Sequence, residues 1–71
     1  QNRGYATEAL AAVIADLFRR GFREVRAAAF AGNAASRRVM EKCGLRLTGE
    51  ASSIRYQGRE QPCVHYAIQK E

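Results

Sequence analysis

The chain is predicted to be an α/β (α+β) protein with elements in the order helix, strand, helix, strand, strand and a mixed sheet. Three observations predict this. Apolar residues recur at helical spacing from Gly4 to Arg20 and again from Asn33 to Cys43. Residue type alternates with period two across 23–30 and 62–69. Gly21, Gly32, Gly44 and Gly58 stand where one period gives way to the next. With 71 residues, 46% hydrophobic and 27% charged, the composition is that of one globular domain. At that size a single core supplies only ~3–5 kcal/mol of net stability.

In the first helix Leu10, Val13, Ile14, Leu17 and Phe18 form the stripe expected to face a core, and the alanines between them raise helix propensity. Gly21 ends it as a left-handed C′ residue, with Phe22 at C″ able to pack on Leu17 in a Schellman arrangement. Arg19 and Arg20 complement the helix dipole in the last turn and are given no ligand. Residues 23–30 then put Val25, Ala27 and Ala29 on one face and Arg26, Ala28 and Phe30 on the other, which reads as a strand. Alanine is a poor strand former, and Ala28-Ala29 could equally continue a helix.

Ala31-Gly32 turns the chain, and Asn33 is suited to N-cap a second helix running through Cys43. Its apolar stripe is Ala35, Val39 and Cys43 with Met40 beside them, and Arg37 and Glu41 are placed to pair at i, i+4. Gly44 and Leu45 repeat the C′ and C″ device, with Leu45 facing Met40. A strand from Leu45 to about Ala51, a turn at Gln57-Gly58 and a strand from Pro62 to Gln69 complete the chain. In the last strand Val64, Tyr66 and Ile68 share one face, and Cys63, His65 and Ala67 the other. The last two strands are expected to pair as an antiparallel hairpin, and a helix to join neighbouring strands before them.

Twelve Lys and Arg against seven Asp and Glu give a formal charge of +5. The arginines are scattered over every element, the pattern of solvated faces with a local phosphate site rather than of a nucleic-acid stripe. A basic nucleic-acid module remains the rival from another class. It is weakened because a whole strand separates the two helices, unlike a helix-turn-helix, and no RNP-like aromatic pattern is present. No apolar run approaches the ~20 residues that span a bilayer, and no export leader is evident, so the expected location is cytoplasmic without membrane contact. Cys43 and Cys63 read as buried free thiols, and with His65 the only histidine no metal site is expected.

Chemistry is expected first at Gln1-Asn2-Arg3-Gly4-Tyr5-Ala6-Thr7, where a glycine-containing turn runs into the first helix. Unpaired N–H groups and the dipole make that end an anion site, Gly4 and Ala6 let the backbone approach a ligand, and Arg3 adds a full charge. A plain turn or cap would present the same residues. The spacing Gln1-x-x-Gly4-x-Ala6 resembles the pyrophosphate signature of the GNAT superfamily of acetyl-CoA-dependent N-acetyltransferases. Asn33-x-x-Ser36 followed by Val39-Met40-Glu41-Lys42-Cys43-Gly44-Leu45 is similar to a second segment of that family. It looks most like the ribosomal-protein N-terminal (alanine/serine) acetyltransferase branch.

The resemblance implies a partial GNAT fold, with residues 1–71 the C-terminal part of one domain whose N-terminal half is absent. It implies acetyl-CoA as co-substrate, held by Gln1, Asn2, Arg3, Gly4, Tyr5, Ala6, Thr7, Asn33 and Ser36, and direct transfer to a primary amine. The acceptor would be a protein N-terminus, such as that of a ribosomal protein, or a small molecule. Where many members carry an acidic Tyr this chain has Met40, so the branch points to Ser36 as proton donor to the leaving thiolate, with Tyr56 and Tyr66 as alternatives. A general base would lie in the absent half. The isolated chain is therefore expected to be inactive, and a CoA-binding or assembly fragment is the alternative function. The exposed edge of the strand at 23–30 is expected to drive self-association.

Overall fold

The computed structural model describes residues 3–71. Helix α1 spans Arg3–Arg19, strand β1 Glu24–Phe30, helix α2 Ala34–Lys42, strand β2 Arg46–Tyr56 and strand β3 Arg59–Gln69. The element order is the one read from the sequence. Both helices end as expected: Phe22 N–H donates to the Leu17 carbonyl and Gly21 N–H to Phe18, each at 3.1 Å, with Gly21 at φ +103°. Leu45 N–H to Met40 and Gly44 N–H to Glu41, each 3.0 Å, close α2 in the same way. Phe22 nevertheless leaves about half its surface in solvent.

The sheet order is β1-β3-β2. Where a mixed sheet was expected, both ladders are antiparallel, and the strands joined by α2 are not neighbours because β3 lies between them. The physical cause is the hairpin. Gln57 (φ 54°) and Gly58 (φ 78°) make a two-residue turn that commits β3 to β2, and its other edge then takes β1. β2 runs longer than the alternation suggested, through Tyr56. A bulge between Leu47 and Ala51, with Gly49 at φ 89°, breaks the periodicity that would have revealed it.

Both helices cover one face of the sheet. Ile14, Leu45 and Tyr66 form the buried centre, packed by Leu10 and Phe18 of α1, Val25 and Ala27 of β1, Met40 and Cys43 at the end of α2, and Val64 and Ile68 of β3. Val13, expected in the apolar stripe, is 52% exposed, and Ala35 of α2 is exposed as well. The small sheet is narrower than the stripe each helix offers. Arg37 and Glu41 do not pair directly: both reach the Tyr66 hydroxyl, which accepts from Arg37 Nε at 3.1 Å and donates to Glu41 Oε2 at 2.8 Å. Cys43 and Cys63 are free thiols, half-buried rather than buried. No helix among the described residues is long and apolar enough to cross a membrane.

Candidate functional site

Gly4 sits in the first turn of α1, outside the positive-φ region, and a Cβ there would meet nothing within 4 Å. Neither conformation nor packing asks for glycine, although glycine weakens a helix by ~1 kcal/mol relative to alanine. What it provides is open access to the backbone N–H groups at a helix start. Tyr5 is exposed. Gln1 and Asn2 lie outside the described residues, and for Arg3 only the helical backbone is described.

Ala6, Thr7 and Leu10 form one wall of a cleft of about 620 Å³ whose other wall is α2, through Ala34, Ala35, Ser36, Val39 and Met40. Arg38 and Lys42, one turn apart, line it too, and neither has an ion-pair partner among the described residues. The cleft thus joins an apolar wall, a helix start and two uncommitted cations. Cys43 Sγ donates to the Thr7 carbonyl at 3.3 Å and ties α1 to α2 beside it.

The start of α2 is held by several bonds. Asn33 Oδ1 accepts from the Ser36 N–H at 3.1 Å as an N-cap, and the Asn33 N–H donates to the Phe30 carbonyl at 2.9 Å. The cap uses the side-chain oxygen, which leaves the amide nitrogen of Asn33 as a donor for a ligand. Arg37 Nη1 donates to the Ala31 carbonyl at 3.0 Å while its Nε holds Tyr66, and that hydroxyl keeps the guanidinium above its ordinary pKa.

A second cleft, of about 420 Å³, lies chiefly against the sheet face that the helices leave uncovered, lined by Ala28, Phe30, Asn33, Ser36, Ser52, Ile54, Cys63 and His65. Ser36 lines both clefts. Ser52 Oγ and His65 Nε2 are 2.7 Å apart. On the same face Arg26 bridges Glu24 at 3.1 Å and Glu50 at 2.7 Å. The Thr48 hydroxyl and then Arg26 hold the Glu50 carboxyl below the usual carboxylate range.

A protein-family model, the acetyltransferase (GNAT) domain, matches residues 1–46, more than half of the chain. The chain belongs to the GNAT acetyltransferase family. Comparison with curated proteins returned no match. The α-β-α-β-β order and three-stranded antiparallel sheet are consistent with a partial GNAT fold.

Among the proton donors considered for this GNAT chain, Tyr66 is 0% exposed and its hydroxyl is engaged on both sides. Tyr56 is at the hairpin end of β2, its ring 5.5 Å from that of Phe30. Ser36 alone of the three lines both clefts. The expected residues Ala6, Thr7 and Ser36 come together across the first cleft, while Asn33 lies at the second. Sequence reading missed Arg38 and Lys42, whose i, i+4 spacing beside Ser36 was a usable signal. It also missed the Ser52–His65 pair, which only the β2–β3 register brings together.

Proposed function

We propose that the protein is an N-acetyltransferase that transfers acetyl from acetyl-CoA to a primary amine, the α-amino group at the N-terminus of a protein such as a ribosomal protein. Residues 1–71 are read as the C-terminal part of the acetyltransferase domain. The observation that carries this reading is Ser36, which faces a phosphate-compatible cleft on one side and a separate cleft on the other. Two partners that must meet at one atom need that arrangement.

The residues present fit the co-substrate. Gly4 leaves the helix start open, with Gln1 to Thr7 as the cradle for a pyrophosphate and Arg38 and Lys42 as cationic partners for phosphate groups. Leu10, Val39 and Met40 line the cofactor cleft and suit the apolar stretches of the pantetheine, while Asn33 lines the second cleft, so its amide nitrogen would meet a pantetheine carbonyl only at the end nearest the thioester. Acetyl-CoA supplies an activated acyl group as a thioester. Ser36 Oγ is the proton donor to the departing sulfur, since Met40 has no proton to give.

Calorimetric titration with acetyl-CoA tests the reading: binding by the wild type and its loss in Gly4→Asp, with unchanged circular dichroism, is the expected result. No binding by a folded wild type would contradict it. A second reading, a CoA-binding assembly fragment without turnover, is favoured by one observation: among the described residues β1 is an edge strand, paired only with β3. Self-association through that edge would show as a concentration-dependent mass in sedimentation.

A further inference from the structure

His65 and Ser52 have no part in the cofactor cleft, yet they form the polar centre of the second one. His65 is half-buried on β3 opposite Ala28, and Ser52 is brought beside it by the β2–β3 register. Their Nε2 and Oγ lie 2.7 Å apart, so one proton is shared between an imidazole and a hydroxyl. Phe30 and Ile54 give the cleft apolar walls, and Ser36 and Asn33 close it on the side of α2.

The charged groups near the ring are Glu50 of β2 and Arg26 of β1, and Arg26 is already engaged by Glu24 and Glu50. Cys63 of β3 is the other titratable group lining this cleft, and α2 with its N-cap contributes only Ser36 and Asn33. Arg26 is the one cation among these groups, and the two carboxylates it bridges offset its charge, so no unpaired cation faces an incoming ammonium. An imidazole is also the side chain whose ordinary titration lies nearest neutrality, which suits a base acting on an amine.

We propose that Ser52 and His65 take the proton from the acceptor amine, and that the cleft they line receives the amine-bearing end of the acceptor. This rests on the acetyl-transfer reading and replaces the expectation that the base lies outside these residues. The Ser52 hydroxyl gives its proton to His65 Nε2 and takes one from the acceptor ammonium, leaving a neutral amine and an imidazolium. The amine nitrogen then bonds to the thioester carbonyl carbon and the C–S bond breaks. The second nitrogen proton passes to Ser36 Oγ as Ser36 gives its own to the thiolate. The imidazolium returns its proton to solvent, so the sum is amide, thiol and one released proton per ammonium consumed.

The test uses the full-length protein, acetyl-CoA and a peptide with a free N-terminal alanine, with the N-acetylated peptide as control. His65 is the only histidine of these 71 residues, and its ring signals in the labelled protein are identified as those missing from His65→Gln. The free-amine peptide is expected to shift those signals in the presence of CoA, and the acetylated peptide to shift them less. Thiol release should fall by about 10²-fold or more in kcat/KM for the peptide in His65→Gln, with the acidic limb of the pH profile lost. Ser52→Ala should fall in the same direction, covering the case in which His65→Gln does not fold. Acetyl-CoA affinity should stay within about twofold in both. Unmoved ring signals, or variants that keep the wild-type rate and pH limb, would overturn the inference while leaving the cofactor reading intact. A wild type that fails to bind acetyl-CoA would remove both.

Discussion

Tyr66→Phe is the substitution whose effect follows most closely from geometry. The ring is fully buried, and its hydroxyl joins β3 to α2 through one bond donated to Glu41 and one accepted from Arg37. Phenylalanine keeps the packing and removes only the oxygen. A typical intramolecular hydrogen bond contributes about 1 kcal/mol net, so the two lost bonds together give an expected destabilisation of about 2 kcal/mol. Larger values are unexpected, because Glu41 is exposed and can be rehydrated and Arg37 keeps the Ala31 carbonyl. For a chain of this size ~2 kcal/mol is a large fraction of the total. Urea unfolding followed by circular dichroism should show a lower midpoint at constant m. Since Arg37 also fixes the turn before Asn33, acetyl-CoA affinity should weaken in the folded variant. A midpoint shift equivalent to less than about 0.5 kcal/mol would refute the view that this hydroxyl is the joint of the fold.

Other outcomes follow from single positions. Gly44→Ala should destabilise by about 1–2 kcal/mol, because φ is +93° and a Cβ would meet Ile68 Cδ1 at 3.2 Å; Gly21→Ala, with φ +103° but open space around it, should cost less in the same unfolding assay. Arg38→Ala and Lys42→Ala should each leave stability within about 0.5 kcal/mol, being exposed, and weaken acetyl-CoA binding in calorimetry by a factor that shrinks as salt is raised. Glu50 has a folded pKa below its unfolded value, so its contribution to stability is complete above the unfolded pKa and is lost as pH falls through the folded one. Thr48→Ala should move that titration upward, read from the side-chain carboxyl carbon by NMR.

Much of the fold was legible because its signals are local. Glycine at C′ with an apolar C″ residue, an Asn before a helical stripe, and Gln57-Gly58 ahead of an alternating run each specify an element from a few residues. The strand order was not, because nothing near β1 says that its partner lies beyond the hairpin, in β3. Val13 and Ala35 were misread for a related reason: helical period gives a stripe, while the width of the sheet beneath decides how much of it is covered. Thr48 to Glu50 hid the extent of β2, since a bulge erases the alternation a strand is recognised by. At the site, the Gly4 to Thr7 and Asn33 to Ser36 segments were visible as motifs. The Ser52–His65 pair was not, because it depends on a register across that bulged strand.

The decisive measurement is a backbone amide NMR titration of the protein with acetyl-CoA. The largest shifts are expected at Gly4 to Thr7 and at Asn33 to Arg38, with the hairpin turn at Gln57-Gly58 unmoved. Saturable shifts confined to the hairpin, or none at either helix start, would contradict the assignment of the cofactor to the cleft between α1 and α2.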